Sequence, residues 1–313
     1  MADNIYPKAL LDKLKEVHVY ITTPFTDDLL SIDVAGFQKN LDGLVKRGVK
    51  ICAVGGGTGE ADALSHEEQL RIAELALEAV GDRALVIATL PGNLGEAVPL
   101  ARKYHAMGVE VALALPPLIR GRAVIEAPGI VEYFKVLTDS TDLPIMPYNN
   151  QAWPLDFYLG LADNPRIIAI KDAMLDPLQI FRAIQRLGKR FPWIGNKSFD
   201  PPVTHLRYQA GMECFTSGMA NFYPEPELAL HEACKKGDVG EALKLQKICA
   251  GFSRLRSAAD DASAVKAAMD IVGFTGGKVR PPRLNVDDRT RSEIASLLDE
   301  ALASHPAIIN AKG

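Results

Sequence analysis

A lysine ends an apolar run in the stretch RIIAIKDA, at residues 166–173. Lysine is rarely buried without a partner or a chemical role, so Lys171 has two interpretations of about equal weight. Its side chain extends the ammonium group to solvent, or apolar surroundings lower its pKa and expose the neutral amine. Because a neutral amine attacks carbonyl groups to form a Schiff base, Lys171 is a candidate nucleophile.

Two other apolar runs end in groups that suit carbonyl chemistry. Tyr148 closes LPIMPYNN (143–150); its phenol can relay protons, although position alone favours an aromatic core residue. In GGGTGE (55–60), glycine amides and the Thr58 hydroxyl suit a carboxylate or a phosphate. That spacing matches neither a P-loop nor a dinucleotide-binding motif, and an ordinary glycine-rich turn is the alternative.

The histidines and cysteines show no metal-ligand spacing. His66 is followed by two glutamates, but no H-E-x-x-H pattern forms. We expect reduced, buried thiols, since no C-x-x-C pair occurs among Cys52, Cys214, Cys234 and Cys249. We expect no metal and no organic cofactor, although a metal site assembled from residues distant in the sequence stays open.

These candidate groups follow short apolar runs that alternate with helical patterns. Eight runs span 17–25, 50–57, 84–93, 109–117, 143–150, 166–173, 191–196 and 212–218. Helical patterns cover 33–48, 65–82, 93–107, 123–139, 154–164, 176–188 and 200–210. Eight such alternations predict parallel strands in an α/β (β/α)8 TIM barrel, whose active site lies at the carboxyl ends of the strands. A doubly wound open sheet is the competing architecture.

Strand patterns stop after residue 220, and the segments 225–236, 239–256, 261–273 and 288–303 are helical in pattern. We therefore predict three parts: an N-terminal helical segment at 1–16, the (β/α)8 barrel at 17–224, and a C-terminal helical extension at 225–313. The length of 313 residues is compatible with one large barrel of this kind.

Charge and composition narrow the range of partners. The net charge is -4, and no dense run of Lys and Arg occurs, which argues against nucleic acid or an anionic membrane. The first residues lack the pattern of a secretory signal, and no apolar stretch approaches the ~20 residues of a membrane span. We expect a cytoplasmic protein that acts on small molecules.

Four motifs together resemble the dihydrodipicolinate synthase / N-acetylneuraminate lyase family of Schiff-base-forming lyases. They are TTPF (22–25), GGTGE (56–60), PYNN (147–150) and IKDA (170–173), and GGKVRPP (276–282) resembles the C-terminal segment. The resemblance extends from about residue 17 to about residue 290. It implies a (β/α)8 barrel with three additional C-terminal helices, assembled as a homotetramer or homodimer.

The resemblance also implies roles for individual residues. Lys171 matches the Schiff-base lysine, Tyr148 the catalytic tyrosine, and Gly57 and Thr58 the pair that holds the carboxylate of a 2-oxo acid. Gly57 departs from the usual Thr or Ser, as in the 5-dehydro-4-deoxyglucarate dehydratase branch. Our full set of predicted substrate-binding residues is Gly56, Gly57, Thr58, Thr22, Ser217, Asn221, Arg120 and Arg122.

Two departures bear on the substrate. LPPLIRG (115–121) lacks the relay tyrosine of the synthase, and Gln151-Ala152-Trp153 stands where the synthase has an arginine. IRGRA (119–123) resembles the 4-hydroxy-2-oxoglutarate aldolase branch instead, and SGMANFYPE (217–225) the dehydratase branch. We predict an aldolase or dehydratase for a 2-oxo acid. The candidate substrate is a sugar-acid-derived dicarboxylic 2-oxo acid, whose distal carboxylate Arg120 or Arg122 binds. The alternatives are 4-hydroxy-tetrahydrodipicolinate synthase activity, a non-catalytic 2-oxo acid binding protein, and a phosphate-handling barrel.

Overall fold

A computed structural model describes residues 3–124, 126–173, 177–198, 201–258 and 261–305. Within these ranges, eight parallel strands close into a barrel in the order β1-β10-β9-β8-β7-β4-β3-β2. The predicted TIM barrel is therefore confirmed, and the open doubly wound sheet is wrong. The barrel strands are β1 His18–Tyr20, β2 Ile51–Val54, β3 Leu85–Leu90, β4 Val111–Ala114, β7 Ile145–Asn149, β8 Ile170–Asp172, β9 Trp193–Asn196 and β10 Cys214–Ser217.

Helices connect successive barrel strands. They are α2 Val34–Lys46, α3 His66–Val80, α4 Leu94–Met107, α5 Ala127–Asp139, α6 Leu155–Leu161, α7 Pro177–Leu187 and α8 Thr204–Gln209. Helix α3 shows why these segments are helical. Ser65 and Glu68 form a capping box at its start, and Gly81 caps its end with a positive φ of 52°.

A short hairpin replaces the first turn of the helix predicted at 123–139. Strands β5 Leu118–Ile119 and β6 Arg122–Ala123 pair antiparallel across Arg120-Gly121. Both loop residues have a positive φ, 51° and 74°, as a two-residue hairpin turn of this kind requires. Helix α5 consequently begins at Ala127, with a proline in its first turn.

Side-chain alternation divides the core into two layers. Val19 and Ile170 point outward and pack against the helices, whereas Tyr20 and Met146 point into the barrel. Because alternate residues of a strand face opposite sides, Lys171 faces the barrel interior, directly after outward-facing Ile170. Tyr148 packs against the same interior cluster.

Additional helices flank the barrel. Helix α1 Lys8–Lys13 precedes β1, and α9 Pro224–Lys236, α10 Val239–Ala258, α11 Asp261–Ile271 and α12 Asp288–Ser304 follow β10. All four cysteines are free and buried, as predicted. No helix in the described ranges is long and apolar enough to cross a bilayer. The three-part division at residues 16 and 224 stays a prediction.

Candidate active site

Three strand ends bring their side chains together inside the barrel. Lys171 on β8 lies beside Tyr148 on β7, in direct register. The Lys171 Nζ atom is 3.9 Å from the ring centroid of Tyr148 and 4.0 Å from that of Tyr20 on β1. With an exposed fraction of 6%, Lys171 does not extend its ammonium group into bulk solvent. The two ring faces form cation–π contacts with it instead.

Burial changes the protonation of this lysine. Loss of solvation lowers the pKa of Lys171 from 10.5 to about 7, and the negative charge of Asp261 opposes that change. Near neutral pH, about half of the molecules then carry the neutral amine, against roughly one in several thousand for a lysine in water. The structure thus supplies a nucleophile of the kind that Schiff-base chemistry needs.

Tyr148 is placed to donate protons. Burial raises its pKa to about 12, and the charges of Asp172 and Asp261 add to the effect. Its hydroxyl therefore stays protonated at neutral pH. The phenol lines a cavity. It does not close the core, which was the alternative interpretation of the sequence.

A buried network fixes the strand ends that carry this pair. Asn149 Nδ2 donates to Asp172 Oδ2 at 2.9 Å and contacts the Tyr158 hydroxyl at 2.6 Å. The Tyr158 hydroxyl also donates to Asp172, and Asn149 Oδ1 accepts from the backbone N–H of Gln151 and Trp153. Asn149 and Asp172 directly follow Tyr148 and Lys171 in the chain, so the network holds β7, β8 and the next loop in one arrangement.

The glycine loop after β2 closes the site opposite the lysine. A side chain at Gly56 would collide with the Tyr20 ring, since an added Cβ lies only 2.4 Å from Tyr20 Cδ1. Thr58 is buried, and its Oγ1 donates to Asp261 Oδ2 at 3.1 Å. The Thr58 hydroxyl is therefore hydrogen-bonded to a carboxylate of the protein itself. The family resemblance implies that the same hydroxyl binds the carboxylate of the substrate.

The cavity has a volume of about 740 Å³ and contains a second lysine. Lys197 Nζ donates to Ser217 Oγ at 2.7 Å and forms an ion pair with Glu227, whose side chain is fully buried. Asn196 also lines the cavity. This part of the lining therefore offers ammonium, hydroxyl and amide groups to a ligand, with the charge of Lys197 balanced by Glu227.

The structure brings most, but not all, of the predicted residues to this cavity. Its lining includes Lys171, Tyr148, Gly56, Gly57, Thr58 and Ser217. Thr22 and Asn221 are fully buried and lie outside the lining; the Asn221 amide oxygen accepts from the Thr22 N–H at 3.2 Å. Arg120 and Arg122 are exposed on the β5–β6 hairpin, also outside the lining. Substrate binding by these four residues stays a prediction.

Three residues of the site were missed in the sequence. Lys197 follows β9, so the strand-end rule that identified Lys171 also applies to it. Tyr20 ends β1, but in the sequence it stands inside the apolar run 17–25, where an aromatic residue is ordinarily core. Asp261 comes from α11, and no sequence pattern connects a helix start in the C-terminal segment with the barrel mouth.

The fold is a closed (β/α)8 barrel, and a desolvated lysine and a tyrosine lie at adjacent strand ends. These features define a class of barrel enzymes whose active sites lie at the carboxyl ends of the strands. The particular family follows from sequence comparison. The model of the Dihydrodipicolinate synthetase family matches residues 13–301. The chain belongs to this family and is an enzyme, a lyase of the class I aldolase type.

Its relatives carry two different activities in their names. A 4-hydroxy-tetrahydrodipicolinate synthase of Methanoculleus marisnigri is 31% identical over 286 residues, 89% of this chain and 96% of that protein. A probable 5-dehydro-4-deoxyglucarate dehydratase of Methylobacterium radiotolerans is 29% identical over 284 residues, 89% of this chain and 92% of the relative. The relatives therefore include both a synthase and a dehydratase.

Solved structures support the fold. The crystal structure of dihydrodipicolinate synthase from Oceanobacillus iheyensis superimposes with a TM-score of 0.86, at 24% identity. The match covers 93% of this chain and 98% of that one. At this level of identity the likeness concerns the barrel and its appended helices.

Proposed function

We propose that this protein is a Schiff-base-forming lyase that acts on a 2-oxo acid. The observation that carries the proposal is the Lys171 amine, buried between two aromatic rings at the base of the cavity, with a pKa lowered to about 7. The Nζ lone pair attacks the keto carbon, and the carbonyl oxygen leaves as water. The resulting iminium carries the positive charge and accepts electrons from the bond that breaks next.

Tyr148 moves the protons of this sequence. Carbinolamine formation transfers a proton from the attacking nitrogen to the former carbonyl oxygen, and loss of water needs a second proton on that oxygen. A phenol with a pKa of about 12, beside Lys171 Nζ, is protonated before each transfer and can regain its proton afterwards. The same hydroxyl can return a proton to the enamine after cleavage.

Thr58 and the backbone N–H groups near Gly56 and Gly57 bind the carboxylate of the substrate in this proposal. Glycines allow a ligand to approach the backbone closely, and space is open at Gly57, where an added Cβ meets nothing within 4 Å. The Thr58 hydroxyl now donates to Asp261. Substrate binding therefore requires that Asp261 turn away, since the hydroxyl has one proton to donate and two carboxylates would compete for it.

A dicarboxylic 2-oxo acid derived from a sugar acid suits the rest of the cavity. Lys197 follows β9 and Ser217 ends β10, and both line the cavity. Both can donate hydrogen bonds to a desolvated distal carboxylate, while Glu227 balances the charge of Lys197. Lys197 now supports this substrate class more directly than Arg120 and Arg122, because it lines the cavity.

The synthase relative favours a second candidate, 4-hydroxy-tetrahydrodipicolinate synthase activity. In that reaction pyruvate condenses with aspartate semialdehyde, whose carboxylate Lys197 would also attract. Assays with aspartate semialdehyde and with a dicarboxylic 2-oxo sugar acid separate the two candidates. Turnover of aspartate semialdehyde at least as fast as that of the sugar acid rejects our first choice.

Borohydride trapping tests the imine itself. With pyruvate present, reduction should attach one reduced pyruvate unit to the peptide that contains Lys171, as seen by mass spectrometry. Lys171→Arg keeps the charge but should trap nothing, whereas Lys197→Arg should still be labelled at Lys171. An unlabelled Lys171, under conditions that trap a control class I aldolase, contradicts the proposed imine at this residue.

Family membership also supports two wider proposals, assembly as a homotetramer or homodimer and a cytoplasmic location. Sedimentation at micromolar concentration tests the first of these. A species with the mass of one chain contradicts it.

A further inference from the structure

A second cluster of potential ligands lies at the opposite end of the barrel from the cavity. Glu16 precedes β1, and His231 and Glu232 are on α9. One ligand atom from each of the three residues lies within 4.8 Å of the others. None of these residues belongs to the lyase cavity, so the proposed reaction does not explain the cluster.

His231 has an unexplained buried nitrogen. The side chain is 1% exposed, and its Nδ1 atom is 2.7 Å from the Tyr208 hydroxyl. Its Nε2 atom is buried and has no hydrogen-bond partner in the described part of the chain; the closest carboxylate oxygen, Glu16 Oε2, is 4.0 Å away. Buried polar atoms are nearly always satisfied, and an orphan of this kind indicates a missing water or ion.

The contact between Tyr208 and His231 leaves one ring nitrogen available to a metal. A hydroxyl accepts as well as donates, and Tyr208 can therefore accept from Nδ1–H. That tautomer leaves the lone pair on Nε2, directed toward the two glutamates. Histidines that bind metals are commonly oriented through the second ring nitrogen in this way.

The donor set selects the metal. One imidazole nitrogen with two carboxylate oxygens suits zinc, whereas magnesium and calcium prefer oxygen ligands alone. Tetrahedral zinc with ligand bonds of about 2.0–2.2 Å holds its donor atoms about 3.4 Å apart. In this structure His231 Nε2 and Glu16 Oε2 are 4.0 Å apart, so the donor atoms must move closer to bind zinc. Both glutamates are partly exposed, 24% for Glu16 and 48% for Glu232, so their side chains can move inward.

Two lysines oppose a cation at this place. Lys50 Nζ lies 3.3 Å from Glu16 Oε1, and Lys235 Nζ lies 3.0 Å from Glu232 Oε1. Lys50 is 64% exposed and Lys235 42% exposed, and ion pairs at that exposure are weak. A divalent ion that also engages the buried nitrogen of His231 displaces both ammonium groups into solvent.

We propose that Glu16, His231 and Glu232 bind a zinc ion, with water in the fourth position, and that the ion fastens α9 to the start of β1. The site is structural, because it lies at the amino ends of the strands, away from Lys171. It links the chain before the barrel to the first helix after it.

Titration of the full-length, chelator-treated protein with zinc chloride tests this site. Calorimetry should show one zinc per chain with micromolar or tighter affinity, and melting in the presence of zinc should move to higher temperature, with no such change for magnesium. Glu16→Gln and Glu232→Gln should each weaken zinc binding about tenfold or more. These variants leave the buried ring in place, so the fold is kept.

Glu110→Gln is the matched control. Glu110 also precedes a barrel strand, is 48% exposed and pairs with a lysine, Lys13, at 3.3 Å. We expect it to bind zinc like the unmodified protein. The site is overturned if zinc affinity is unchanged in both glutamate variants, or if it is lowered equally in the control. A zinc stoichiometry well below one per chain also overturns it. Borohydride trapping is independent of these results, so failure of the zinc site leaves the lyase proposal untouched.

Discussion

Replacement of Lys171 by methionine should abolish turnover and stabilise the fold at the same time. Methionine keeps an unbranched side chain of similar length but carries no charge. A lysine that reaches solvent contributes little to stability either way, whereas a lysine held in a desolvated cavity for its chemistry lowers stability. The sign of the change therefore separates the two interpretations of the RIIAIKDA stretch.

The magnitude follows from the pKa of this lysine. A fall from 10.5 to about 7 disfavours the charged form in the folded state by about 5 kcal/mol, since each tenfold change in proton affinity is about 1.4 kcal/mol. At pH 7 about 4 kcal/mol of that cost remains. Loss of the contacts with the Tyr20 and Tyr148 rings removes about 1 kcal/mol each. The net gain for Lys171→Met is about 2 kcal/mol.

The gain should depend on pH. The unfolded chain holds the lysine proton up to about pH 10.5, whereas the folded protein releases it near pH 7. Between these values the unfolded state binds more protons, so the stability of the unmodified protein rises with pH through this window. The methionine variant lacks this rise. Its advantage should be largest at pH 7 and below, and should shrink toward pH 9.5.

Chemical denaturation at several pH values measures this difference, and Lys197→Met serves as the control. Lys197 is paired with Glu227, so its loss leaves a buried carboxylate unpaired and should destabilise the fold by about 3 kcal/mol or more. A Lys171→Met protein that is less stable than the unmodified one at pH 7, or a gain that is constant across the pH range, refutes the reasoning.

Three further predictions concern the neighbours of the lysine. Tyr148→Phe should reduce turnover about 100-fold with little change in melting temperature; retained activity with lower stability would favour a packing role. Asp261→Asn removes a charge that raises the pKa of the reactive lysine, so the rising limb of kcat/KM against pH should move to lower pH, and an unmoved limb contradicts this. Gly56→Ala should destabilise the fold by about 1–3 kcal/mol, because the added Cβ collides with Tyr20. Gly57→Ala is the control: its added Cβ has open space, so this variant should unfold at nearly the same denaturant concentration as the unmodified protein.

Strand periodicity explains how much of the site was predictable. Apolar runs without polar alternation predicted the eight barrel strands, and the rule that barrel active sites lie at the carboxyl ends of strands identified Lys171 and Tyr148. Side chains two residues apart share a face. The inward direction of Lys171 therefore follows once Ile170 is assigned to the helix-packed side.

Contacts between distant segments were not predictable in the same way. Asp261 reaches Thr58 from α11, whose own sequence pattern shows only that it is a helix. Arg120 or Arg122 was expected to bind a distal carboxylate, which requires a side chain that points into the cavity. The positive φ angles of Arg120 and Gly121 instead form a tight hairpin with both arginines exposed. This hairpin was not predictable from the sequence because Arg120 adopts a positive φ, which arginine seldom does.

The hydrogen bond from Thr58 to Asp261 spans 203 positions of the chain, and this span has a consequence for synthesis on the ribosome. Chains grow at about 5–20 residues per second, so the glycine loop is made many seconds before the residue that contacts it. Closure of the barrel likewise waits for β10 to pair with β1. A nascent chain whose Lys171 has left the ribosome therefore still lacks the closed barrel, and the desolvated surroundings of this amine form only after β10 has been made.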